Sequence, residues 1–195
     1  MLTLGSPGVQ VTFLSQAAGR LLFVSLRSFV LGRIITRKRR RWAHRICCFR
    51  WLTCATDKIS HLDGSIVWRL GGKRSDFVSD TAWTGQHGAR VHSQNETHIV
   101  ISMFDNARYH HSIPVTHETS RALFLTLHVT ESPMRAETLL SIDQPDGKFN
   151  MARGNVQTLP DGGIFVCWVN ECLLGEYTMD GKRLLQARLK ADLST

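Results

Sequence analysis

From His61 onward one arrangement of residues occurs twice: a short inner strand, a turn, a nearly continuous apolar run, and two further strands. Nothing else in the chain restricts the fold as strongly, because apolar runs of this length between turn dipeptides specify an all-β structure. The second copy is the clearer. Gly154 to Leu159 is expected as its inner strand, and Pro160-Asp161-Gly162-Gly163 as a turn. Proline presets φ in such a turn and glycine accepts a positive φ. Ile164 to Val169 reads as a strand buried on both faces. Leu173 to Met179 and Arg183 to Leu189 follow as third and fourth strands, joined at Asp180-Gly181. In the first copy the corresponding segments are His87 to His92, Ile99 to Phe104, Ala122 to Val129 and Glu137 to Ile142. Ile99 and Ile164 are the matching positions, 65 residues apart. The stretch Ala107 to Arg121 lacks an apolar period and is expected as a loop. A fragment at Asp63 to Leu70 matches only the last half of such a unit.

Four-stranded units in series are the blades of a β-propeller, and a sandwich of the same strands is the alternative. The fold class expected here is therefore all-β: about two blades and one extra strand or hairpin of a propeller. Two blades cannot close a ring, so the sequence reads as a piece of a larger assembly. Its uncovered strand edges are candidates for self-association.

Residues 1–60 are a different kind of sequence, with eleven Lys and Arg against a single acid, Asp57. Residues 61–195 carry a balance of −2, so the overall charge of +8 resides in the extension. A basic nucleic-acid-binding domain is thereby excluded for 61–195. Polar residues and then Arg20, Arg27 and Arg33 divide the apolar stretches of the extension into pieces too short to span a bilayer. The basic run Arg37 to Arg41 comes too late for a secretory leader, and a solvated arm is its simplest interpretation. The extension is expected to be poorly ordered or partly helical and to contribute little to the sheets.

Residues 63–192 resemble the arylsulfotransferase (ASST) family, in particular its fungal-type branch. The stretches that carry the resemblance are Ile66 to Lys73, Gln86-His87-Gly88-Ala89-Arg90 and Ile101 to Ala107. Further on they are Ser120 to Leu123, Gly154 to Gly162, Glu176-Tyr177 and Asp180-Gly181. The resemblance implies a propeller that moves a sulfuryl group from a phenolic sulfate ester to a phenol. A histidine carries the group, and no cofactor or nucleotide donor is needed. A neutral imidazole suits that chemistry, being a good nucleophile near pH 7. His87 is the candidate nucleophile, at the start of an inner strand that would line the channel.

Arg90 is a candidate donor to the sulfuryl oxygens, although strand alternation turns it away from His87 unless the backbone bulges. Asn106 and Arg108, at the end of the apolar run, are candidates to face substrate at the mouth of the ring. The Asp105-Asn106 pair is equally consistent with a simple turn. Family members usually have aspartate after the motif histidine, where this chain has Gly88. With that change and with blades missing, impaired transfer is expected. A non-catalytic propeller fragment that binds another protein is the second functional class. The partners implied are an aryl sulfate donor and a phenolic acceptor.

No metal site is expected. Cys47, Cys48 and Cys54 with His44 lack zinc-ligand spacing, and His110, His111 and His117 lie in a polar loop. Cys167 and Cys172 are close enough in sequence to pair in an oxidising compartment, while Cys167 in an apolar run also reads as a small buried hydrophobe. Asn95-Glu96-Thr97 is a glycosylation sequon at an expected turn and, with the family resemblance, fits secretion.

Overall fold

A computed structural model of the chain describes residues 2–6, 9–15, 44–47, 55–60, 62–108 and 115–191. Among these residues there is no α-helix, and the strands form three sheets. The central sheet contains β7 (His87–Gln94), β8 (His98–Asp105), β9 (Arg121–His128) and β10 (Met134–Asp143) as an antiparallel meander. The short strand β6 (Phe77–Ser79) adds in parallel to the outer side of β10. A second meander is made of β11 (Asn155–Thr158), β12 (Ile164–Trp168), β13 (Leu173–Tyr177) and β14 (Arg183–Ala191). These are the two repeated units expected from the sequence. The third sheet joins β3 (His44–Cys47), β4 (Thr56–Ser60) and β5 (Ile66–Leu70).

The apolar runs decide how the sheets stack. In β8 and β9 every side chain from Ile99 to Asp105 and from Arg121 to Leu125, Val100 excepted, is buried, so both faces of this sheet need cover. One face, bearing Ile99, Ile101, Met103, Leu123, Leu125 and Leu127, packs with Trp68 and Leu70 of β5 and with Phe77 and Trp83. The opposite face, bearing Phe104, Ala122, Phe124 and Ile142, packs with Val156, Ile164, Val166, Trp168 and Tyr177 of the second meander. The central sheet is thus sandwiched between the other two. Its inner strand β7 and the inner strand β11 lie side by side and form a crease. None of the three sheets closes on itself.

One expectation needs correction. The apolar run Ile164 to Val169 ends as a strand at Trp168, because Val169–Glu171 turns into a short 3-10 helix. Cys172 closes it in the left-handed conformation, at φ +48°. Strands are also described within residues 1–60. β1 (Leu2–Ser6) and β2 (Val9–Ser15) form a hairpin, and β2 pairs with the edge of β14 along Leu185 to Ala191. The alternation Val9-Gln10-Val11-Thr12-Phe13 is a strand pattern, and an open β14 edge offers it a full row of backbone partners. β3 and β4 likewise come from the extension, and their sheet runs across residue 60. The basic run Arg37 to Arg41 and the pair His110-His111 lie outside the described residues.

Candidate functional site

The crease is built by two irregularities in β7. His87 pairs with Phe104 and Arg90 with Ser102, so Gly88 and Ala89 together oppose the single residue Met103. A second slip between Val91 and Ser93 leaves His92 as an extra residue. Residues opposite one another in an antiparallel pair share a face. The first bulge therefore puts Arg90 on the same face as His87, towards the second meander. The sequence made that placement conditional on a bulge, and the bulge is present. Gly88 makes it possible with φ +63°, a conformation that glycine takes freely and that Asn and Asp tolerate best among other residues. An ideal Cβ on Gly88 would lie 3.5 Å from Asn155 Oδ1, an ordinary contact. The space is open but the positive φ would strain any side chain, so glycine suits this backbone.

His87 is half-buried, and its Nε2 accepts a hydrogen bond from the Arg153 backbone N–H at 3.2 Å. Burial holds its pKa below the ordinary value of 6.5, so the ring is neutral at pH 7. Arg90 donates to Asn155 Oδ1 at 3.2 Å and to the Val156 carbonyl at 3.3 Å. His92 shares hydrogen bonds through Nε2 with Ser102 Oγ at 2.7 Å and through Nδ1 with Thr158 Oγ1 at 3.4 Å. Its ring lies against Phe124. Burial first, and then the Arg90 charge, lower the His92 pKa as well. Two neutral imidazoles and one guanidinium therefore line a single crease, which opens to solvent at Arg90 and His92.

Asn106 and Arg108 do not join this group at the surface. Asn106 is buried, and its Nδ2 donates to the carbonyls of Asn150 and of Arg153, the latter at 3.0 Å. Arg108 lies over the Phe149 ring, 5.5 Å from its centroid. Ser120 ties the same region together, with its Oγ donating to the Asn106 carbonyl and accepting from the Asn150 N–H. Arg153, at φ +64°, precedes Gly154 at φ +105°, whose Hα side faces the Phe104 ring. A Cβ on Gly154 would overlap that ring. Gly154→Ala should therefore lower stability by about 1–3 kcal/mol through overpacking, seen as a reduced midpoint in urea.

Beneath the loop, the Asp105–Arg121 ion pair joins the ends of β8 and β9 at 2.9 Å and is buried. Asp105 also accepts the Thr84 and Ala107 N–H groups, so the expected Asp105-Asn106 turn exists, with its carboxylate turned inward. Burial raises the Asp105 pKa, against the opposing pull of Arg121. Arg121 reaches His117 Nδ1 at 3.3 Å, and His117 Nε2 meets Asp143 at 3.0 Å. Elsewhere, Cys167 is buried and Cys172 exposed, and both are free thiols. Burial pushes the Cys167 thiol up to about 11. The Asn95 sequon lies at the exposed β7–β8 turn, where Asn95 Oδ1 accepts the Thr97 N–H at 2.9 Å. Among the described residues no three His, Cys, Asp or Glu side chains converge as a metal would require, and no helix is long and apolar enough to cross a membrane.

The sequence missed His92, Arg153 and Asn155. The last two fall at and just before β11, and Asn155 stands 65 residues after Arg90, the spacing of the repeat. That spacing was the available signal. Antiparallel sheets stacked with His87, Arg90 and His92 between the inner strands define an all-β protein. The family model for arylsulfotransferase (ASST) matches residues 50–190, and the chain belongs to that family. Comparison with curated proteins and with solved structures gave no match.

Proposed function

We propose that the crease is a sulfuryl-transfer site and that the three stacked sheets are blades of a β-propeller of the fungal-type branch. The observation that carries this proposal is the neutral His87 on the same face as Arg90 and His92. In the reaction, the Arg153 N–H moves off the His87 Nε2 lone pair, and Nε2 attacks the sulfur of an aryl sulfate. The N–S bond forms as the S–O bond to the ring breaks, and the phenolate leaves and takes up a proton. A phenolic oxygen of the acceptor then attacks the same sulfur, the N–S bond breaks, and the acceptor loses its hydroxyl proton. Arg90, freed from Asn155 and Val156, donates to the sulfuryl oxygens as their charge develops. His92 is the second donor from β7. Arg108, stacked on Phe149, serves the outer rim, and Asn106 serves the site from below.

Turnover by this chain alone is slow. Several donors must converge on one sulfuryl group, and loss of one such donor can lower a rate by about 10²–10³. The test is release of 4-nitrophenol from its sulfate ester with phenol as acceptor. Slow turnover is expected from the chain and none from His87→Ala. The rate should fall on the acid side only below the ordinary imidazole pKa of 6.5, since burial lowers the His87 value. Turnover that is unchanged in His87→Ala would overturn the assignment.

A further inference from the structure

The unprotonated nitrogen of His87 is selected from underneath. Arg153 N–H is a donor only, and it points at Nε2 from 3.2 Å. A neutral imidazole that accepts there must carry its proton on Nδ1. Arg153 itself is in the left-handed region, at φ +64°. Its carbonyl accepts from Asn106 Nδ2 at 3.0 Å, and the same amide donates to the Asn150 carbonyl. The orientation of that amide is unambiguous, because the reversed amide would set its oxygen against two carbonyls. Asn106 Oδ1 is buried without a hydrogen-bond partner. The amide is therefore fixed by what its NH₂ group does, at the expense of an unsatisfied oxygen. Buried polar atoms without partners are uncommon in folded proteins.

We propose that Asn106 is a positioning residue for His87. By holding the Arg153 carbonyl it aims the Arg153 N–H at Nε2 and thereby sets the Nδ1–H tautomer, with the Nε2 lone pair capped by that N–H until substrate displaces it. Calling this aim productive rests on the sulfuryl-transfer function, but the tautomer can be measured without any turnover. A sulfuryl group can bond to Nε2 only where the Arg153 N–H now sits, so the Arg153 amide must swing aside before transfer.

The experiment is ¹⁵N NMR of the histidine side chains in the full chain, with His87 assigned by its loss in His87→Ala. In the unsubstituted chain His87 should be a single Nδ1–H tautomer. In Asn106→Ala and in the isosteric Asn106→Asp it should become a mixture of both tautomers. In Asn155→Ala, which removes an Arg90 contact only, it should stay single. Hydrogen exchange at the Arg153 amide should speed up at least tenfold in Asn106→Ala and in His87→Ala. An Nε2–H tautomer in the unsubstituted chain would overturn the proposal, as would folded Asn106 variants with His87 unchanged. Loss of the fold in both Asn106 variants would also overturn it, assigning Asn106 to the fold instead of to His87. A correct tautomer in a chain without sulfuryl transfer would remove the function and leave the positioning intact.

Discussion

Arg121→Met is expected to destabilise the chain by about 3–5 kcal/mol, because it leaves the Asp105 carboxylate buried without its counter-charge. The carboxylate has no exposure to water and the guanidinium very little. Solvent cannot compensate for the lost partner. The guanidinium also donates to Thr81 Oγ1 and to the Ala82 carbonyl at 2.6 Å, so its removal unties the segment before β7 as well. A total stability of about 5–15 kcal/mol is usual for a domain, so the loss would be a large share of it. The second variant, Asp105→Asn with Arg121→Met, should recover much of the loss. Asparagine removes the buried charge and keeps an oxygen for the Thr84 and Ala107 N–H groups. Urea titration of the two single variants and the double variant gives the coupling between the residues. Equal stability of Arg121→Met and the unsubstituted chain would show that water reaches Asp105.

The strands were legible because their apolar content exceeds what one buried face needs. Ile99 to Phe104 is satisfied between two other layers, Ile164 to Trp168 packs one face on the central sheet, and the turn residues around them mark their ends. The bulges of β7 were not legible as such. A bulge is one residue of slack in hydrogen-bond register, and His87 to Gln94 shows no sign of it beyond Gly88. Without it, alternation separates His87 from Arg90, which is why Arg90 was ambiguous and His92 unremarked. The burial of Asn106 was not legible for a related reason. A polar residue after an apolar run ordinarily marks the surface, but here carbonyls 44 and 47 residues further along the chain come to meet it. Such a meeting depends on how two sheets dock, and local sequence does not encode it.

Trp168→Ala is expected to cost a similar amount, about 3–5 kcal/mol, through loss of apolar contact and the cavity left behind. Trp168 is wholly buried where the central sheet meets the second meander, with its ring edge-on to Phe104 at 5.3 Å between centroids. This docking also builds the candidate site, because β7 and β11 belong to different sheets and only the packing between them forms the crease. Phe104 is in turn the ring that Gly154 lies against, next to Arg153 and its bond to His87. The cavity would therefore reach the site through one ring. Trp168→Phe keeps an aromatic edge in that space and should cost less. Urea denaturation should show a lower midpoint for Trp168→Ala with little change in slope. In the same variant the His87 imidazole should titrate closer to 6.5 as water enters the loosened crease. A destabilised variant whose His87 titration does not move would mean that the crease is held by its own hydrogen bonds, independently of the core beneath it.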